Sequence, residues 1–288
     1  MSVLGSLFVA CAVCANPNLA TQDGTSAKVQ MGTSMEVRAG GLGVGPADAM
    51  RVDEMRFESG LSFQVLPELE LSASVPFLLR SYEFGDDRTG LELVMGDVGI
   101  SAFARVMERF APHGMATLHH RVWLAPTIKF PTAPAVEDPS GVFLPSNLQP
   151  GCSSVVPQIA AVYELGEALW AVRFGGGAAI PFAVRDAPHR GPYATAVVEA
   201  DLRPVPDLGL RLGWKWLFEA TGSDATSESE PDSGGLIGYL SASVDARYGA
   251  TLYASAGVDV PLVLALRGEQ SPTPIVMLRF GGRWDLVR

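Results

Sequence analysis

The residues with chemistry to offer are charged, and many come in pairs two positions apart. Arg56 precedes Glu58, Asp201 precedes Arg203, Asp245 precedes Arg247 and Arg283 precedes Asp285, while Asp97 and Arg105 are also an even number apart. In a strand, positions i and i+2 point to one face. Such pairs can neutralise one another, pair across neighbouring strands, or line a polar passage. The four histidines, His113, His119, His120 and His189, could act as bases beside a nucleophile. His119 and His120 are adjacent, however, and so point to opposite faces of a strand, and no nucleophile-elbow motif accompanies them. No enzyme activity is therefore expected. The acidic segment 221–234, TGSDATSESEPDSG, lacks the ligand spacing of an EF-hand and reads as a mobile, solvated loop. Cys11 and Cys14 form a CxxC that suits a local disulfide in an oxidising compartment, or removal with a leader. No further His or Cys follows at metal-finger spacing, so neither a metal nor a cofactor is expected.

The elements that must position these charges follow from alternation. Between Glu68 and Leu79, the residues Leu69, Leu71, Ala73, Val75, Phe77 and Leu79 alternate with Glu68, Glu70, Ser72 and Ser74. One strand face is thus apolar and the other mostly polar. The same period recurs along the chain and predicts twelve strands: 28–39, 51–65, 68–83, 91–109, 116–131, 152–165, 168–183, 192–205, 208–220, 235–247, 250–264 and 273–286. Several exceed the usual soluble strand of about 5–6 residues. The aromatic residues Phe57, Phe77, Phe130, Trp214, Trp216, Phe218 and Trp284 fall on the apolar face. A soluble β-sandwich also alternates, but its strands are short and its polar face does not carry charge pairs along nearly every strand.

Composition agrees. The 288 residues are 48% hydrophobic with a mean hydropathy of +0.21, yet no run of about 18 apolar residues is free of polar interruption. Apolar residues spread at period 2 fit a barrel that meets lipid on its outer face only. The 31 glycines and 21 prolines favour turns over helix interiors. A net charge of −10 with no basic patch excludes nucleic acid as a partner.

Connection lengths alternate as well. Short turns are predicted at 66–67, 110–115, 166–167, 206–207 and 248–249, and long loops at 40–50, 84–90, 132–151, 184–191, 221–234 and 265–272. Short turns on one side and long loops on the other mark transmembrane barrels of the bacterial outer membrane, with short turns and both termini in the periplasm. The fold class expected is therefore all-β: an antiparallel up-and-down transmembrane barrel of about twelve strands over residues 28–288. Its partners would be outer-membrane lipid, the barrel-assembly machinery and a small solute. Residues 1–27 read as a signal-like segment and periplasmic extension. Val3 to Ala15 resemble the apolar part of a signal peptide, although no basic residue precedes them. The last residues, Trp284-Asp285-Leu286-Val287-Arg288, depart from the terminal aromatic that such barrels commonly present for assembly.

Two segments carry a family resemblance. Gly96-Asp97-Val98-Gly99-Ile100-Ser101 opens one strand, and Leu124-Ala125-Pro126-Thr127-Ile128-Lys129-Phe130-Pro131-Thr132 closes the next. Together they resemble the outer-membrane transporter-like family named for the meta-pathway of phenol degradation, with Ala133 where that family usually has Gly. Residues 11–17, Cys-Ala-Val-Cys-Ala-Asn-Pro, resemble the leader-proximal part of a myxobacterial branch of it, without the further Cys or Gly run. The resemblance implies passage of hydrophobic or aromatic compounds and implies no catalytic residues. From the residues themselves, Asp97 is expected to face the lumen and pair with Arg105 or Arg121.

A twelve-stranded barrel is narrow, so long charged side chains would fill much of its bore. The residues expected to line it are Glu58, Glu70, Asp97, Arg105, Arg121, Lys129, Arg173, Arg211, Lys215 and Arg279. Passive passage of small solutes is the function expected, and a structural or adhesive surface barrel is the alternative.

Overall fold

The computed structural model describes residues 30–285 apart from 46–48, 86, 89, 114–115, 152, 206 and 250. The signal-like segment and the Cys11/Cys14 pair lie outside the described residues, as does Cys152. Twelve long strands make the fold: β1 (Gln30–Val44), β2 (Met50–Leu66), β3 (Leu69–Phe84), β4 (Val98–His113), β5 (Ala116–Phe130), β6 (Ser154–Gly166), β7 (Trp170–Ala179), β8 (Tyr193–Val205), β9 (Leu208–Glu219), β10 (Gly235–Tyr248), β11 (Leu252–Leu266) and β12 (Ile275–Asp285). Each pairs antiparallel with the next, and β12 returns to β1 through a register running from Gln30↔Asp285 to Ala39↔Val276. The sheet is therefore a closed barrel. Closure pairs the backbone groups that an open edge would leave unmatched, which is what a sheet in lipid requires. Four short strands, Asp87–Arg88, Glu92–Met95, Phe182–Ala183 and Gln270–Pro272, extend the wall at the long-loop end.

Alternation sorts the two faces as the sequence implies. On β8, Val197, Glu199 and Asp201 are buried, and Val198, Ala200 and Leu202 between them are exposed. Outward positions include Met55, Leu61, Phe63, Leu71, Phe77, Ile100, Leu212, Val244, Leu278 and Phe280, all more than a third exposed. An apolar outer surface of this extent needs lipid around it. The strands run from 10 to 17 residues. About 9–11 tilted residues already cross the hydrocarbon core, so the longer strands stand clear of it.

Two prolines sit where the ladder is already broken. Pro261 pairs with Tyr239 beside the register shift at Gly238, and Pro204 lies within the shift between Leu202 and Val205.

The fourth predicted strand differs from the observed one. It does not run unbroken from 91. Glu92–Met95 pairs separately with the end of β3, and β4 begins at Val98. Gly96 makes the break possible. Its N–H donates to the Pro76 carbonyl at 2.8 Å, and a Cβ there would stand 2.9 Å from the Pro76 ring.

Candidate functional site

The inside of the barrel has three levels, and the lowest lies toward the short turns. A belt of ion pairs crosses seven strands there. Arg105 reaches Glu108 at 3.2 Å, and Glu108 also takes Arg121 at 2.7 Å. Arg121 meets Glu164 at 3.5 Å, and Glu164 takes Arg173 at 2.7 Å. Arg173 meets Asp201 at 3.3 Å. Arg203 and Arg211 approach the same carboxylate at 3.3 and 3.9 Å, and Arg211 ends the belt on Asp245 at 3.1 Å. Cations and anions thus alternate along the wall. Taking such groups out of water is costly unless every charge is matched, so alternation is the condition for this belt to exist. His119 joins it, with its Nε2 3.2 Å from Glu164, while His120 points outward to Tyr163 at 2.7 Å.

The middle level is two-sided. On β4 to β8 the inner wall is apolar, formed by Phe103, Trp123, Ala125, Ala160, Val162 and Val197. Arg105 lies over the Trp123 ring, 5.7 Å from its centroid. The opposite side is charged. Arg56 donates from Nε and Nη2 to Glu58 at 3.1 and 3.0 Å, Arg38 and Arg279 both grip Glu36, and Arg283 grips Glu70. Lys215 donates to both oxygens of Asp259 at 3.1 Å. Lys129 is buried on the inner face of β5.

The upper level is a plug. Segment 131–151 leaves β5 and turns into the barrel rather than standing above it. Leu144 and Leu148 are 1% exposed and pack inside a ring of inward-facing residues that includes Leu42, Val52, Tyr82, Val156, Leu217, Ile237, Tyr239 and Ile275. Polar contacts hold the plug in place. Gln149 donates to the carbonyls of Leu144 and Val136 at 2.7 and 2.9 Å and accepts from the Val136 N–H at 2.8 Å. Arg80, paired with Glu54 at 2.9 Å, donates to the Leu148 carbonyl at 2.8 Å. The Asn147 amide donates to the Asp232 carbonyl at 2.9 Å, and Ser146 donates to Glu230. Segment 221–234 is therefore only partly a free loop. Asp224 and Glu228 are exposed or nearly so, but Glu230 is drawn onto the plug and Ser233 is buried.

Every residue expected to line the bore points to the inside of the barrel, Asp97 from the break before β4, where it is buried against the plug. Arg105, Arg121, Arg173 and Arg211 come together in the belt; Glu58, Glu70, Lys129, Lys215 and Arg279 are distributed through the middle level. The expected pairing of Asp97 with Arg105 or Arg121 is not formed. Eight residues of strand, at about 3.3 Å each, put Asp97 and Arg105 at opposite levels. Asp97 instead accepts from the Ala133 N–H at 3.2 Å, while Thr132 Oγ1 accepts from the Val98 N–H at 2.9 Å and donates to the Gly96 carbonyl at 2.7 Å. The two segments that carry the family resemblance thus meet and fix the start of the plug. Sequence reasoning misses Glu108, Glu164, Arg38, Glu36 and Asp259; inward parity on their strands is the signal that marks them. The plug has none, because Leu144 and Leu148 follow no strand period.

No protein-family profile matches the sequence, and no curated protein matches it. Solved structures do resemble the fold. An outer-membrane channel from Pseudomonas putida F1 superposes with a TM-score of 0.63 at 15% identity, over 90% of this chain and 96% of that one. The fold is that of an outer-membrane β-barrel. Two weaker likenesses are the transport unit of the autotransporter AIDA-I from Escherichia coli (TM-score 0.49, 9% identity, 96% of this chain and 98% of that one) and a mutant of the TodX monoaromatic hydrocarbon channel (0.45, 9%, 96% and 94%), both too low to build on.

Proposed function

We propose that this protein sits in the bacterial outer membrane and lets small solutes cross passively, with segment 131–151 as the gate. The observation that carries this is the inner architecture. The bore is lined by matched charges instead of a continuous apolar core, and its long-loop end is closed by one segment held through side-chain contacts. A barrel serving only as a surface scaffold has no need of a separately latched stopper. The short turns would face the periplasm, as in barrels of this class. The resemblance to the family named for the meta-pathway of phenol degradation supports a solute that is hydrophobic or aromatic, and the apolar half-wall around Phe103 and Trp123 suits one. The alternative, an adhesive barrel without flux, predicts no solute passage under any condition.

Liposome swelling tests this. Full-length protein refolded into vesicles should admit small neutral solutes faster than protein-free vesicles. Equal rates, with the barrel folded, would favour the scaffold.

A further inference from the structure

Segment 221–234, which joins β9 to β10, lies across the plug on the long-loop side. Its backbone folds it into a small hairpin: Ser223 bridges Ser229, and the Asp224 N–H donates to the Glu228 carbonyl at 2.9 Å. Residues 226–229 at the tip are exposed, whereas Ser146 and Asn147 of the plug are buried beneath the segment. The contact is close. A Cβ on Gly222 would stand 3.2 Å from the Ser146 Cβ, so backbone lies against the plug with no side chain between. Farther along, Glu230 accepts from Ser146 and the Asp232 carbonyl accepts from the Asn147 amide. Ser146 and Asn147 sit in the turn closed by the Leu148 N–H on the Pro145 carbonyl at 2.9 Å. The segment thus grips the plug between the two leucines that seat it.

The segment is tied in turn to the wall. Ser223 exchanges both backbone hydrogen bonds with His189, each at 2.9 Å. His189 belongs to the connection 184–191, and the next residue, Arg190, is buried and paired with Glu219 at the end of β9. Arg190 also lies over the Tyr193 ring, 6.0 Å from its centroid. Breaking a buried ion pair is strongly unfavourable, so His189 is a fixed post. On the far side, Asp232 accepts from the Glu269 N–H at 3.1 Å, and the Gly234 carbonyl accepts from the Arg267 N–H at 3.2 Å. These ties are single hydrogen bonds near the surface, which open far more readily than the pair behind the post.

Both ends of the plug join strands at the long-loop end, Phe130 of β5 and Ser154 of β6. The plug can therefore leave its apolar ring only toward that end, where segment 221–234 lies. We propose that segment 221–234 is a strap over the gate, and that it must lift from His189 before the plug can leave. This step rests on reading segment 131–151 as the gate of a passage, and adds what controls it.

The experiment staples the strap to its post. Residues that exchange both backbone bonds stand about 5.5 Å apart at Cα, within reach of a disulfide. His189→Cys with Ser223→Cys, in the full-length chain with its three native cysteines changed to serine, ties the strap down and alters no residue seated in the ring. Leu144→Asn and Leu148→Asn are added so that the plug itself is loose. Single-channel conductance is recorded before and after dithiothreitol. Thiol titration follows the disulfide, and a heat-shifted gel band shows that the barrel is folded. The reduced protein should open often. Oxidation should lower its open probability by about tenfold or more, because a covalent tie removes the lifted state from the ensemble. Equal opening in both redox states would overturn the strap and leave the gate standing, since a plug that leaves alone is indifferent to the staple. Failure of the two cysteines to oxidise in folded protein would overturn it as well. Silence in both states would refute the passage, and the strap with it.

Discussion

Glu230 holds the plug through Ser146: its carboxylate accepts the Ser146 N–H at 3.0 Å and the Ser146 hydroxyl at 2.5 Å. Burial holds the Glu230 carboxyl above the ordinary glutamate value, and Asp224 adds to the lift, while Ser146 and His189 pull the other way. In a released plug Glu230 would be solvated and titrate normally. The closed state therefore binds its proton more tightly than the open state. Acidification should favour closure, beginning as pH falls through the raised value and complete below the ordinary one. Open probability in planar bilayers, recorded against pH, checks this. Glu230→Gln should remove the dependence, and opening at acid pH in the parent protein would contradict it.

Glu164 is the carboxylate on which the belt converges, touching Arg121, Arg173 and His119. Glu164→Gln should cost about 3–5 kcal/mol, the usual penalty for leaving buried charges without their partner. Asp245→Asn at the more exposed end of the belt should cost much less. Urea unfolding from lipid vesicles measures both, and equal losses would mean that the belt does not act as a buried network.

Leu212 faces outward on β9, and no contact inside the barrel depends on it. The position is near the middle of its strand, so Leu212→Lys should cost about 2–4 kcal/mol in a bilayer. A soluble barrel would tolerate the change or gain from it. Unfolding in vesicles decides between them.

Gly281 of β12 faces Tyr253 of β11 in register, and a Cβ there would collide with the phenol ring. Gly281→Ala should destabilise by about 1–3 kcal/mol through overpacking. Adding Tyr253→Ala should recover part of that loss, which a double-mutant cycle would show as a coupling between the two sites.

The wall of this molecule is legible in its sequence because a strand writes its two environments at period 2. The alternation of Val197, Glu199 and Asp201 with Val198, Ala200 and Leu202 is enough to tell which face meets lipid. The ion-pair belt is half legible. Its arginines are recognisable as inward, but which carboxylate each meets depends on barrel register, and register is a relation between strands. The plug is not legible. Leu144 and Leu148 are buried by residues from strands distant in sequence, so nothing local marks them. Asp97 misses its expected partners for a related reason: eight residues of strand separate it from the level of Arg105, and it meets the Ala133 N–H of the plug instead.

The gate is tested most directly by single-channel conductance of the full-length protein beside the double variant Leu144→Asn, Leu148→Asn, with both bands heat-modifiable on a gel. A plug seated by two leucines in an apolar ring predicts a parent that is closed most of the time and a variant that opens more often, with larger steps. Silence from both, with both folded, would contradict a gated passage and leave a structural barrel in its place.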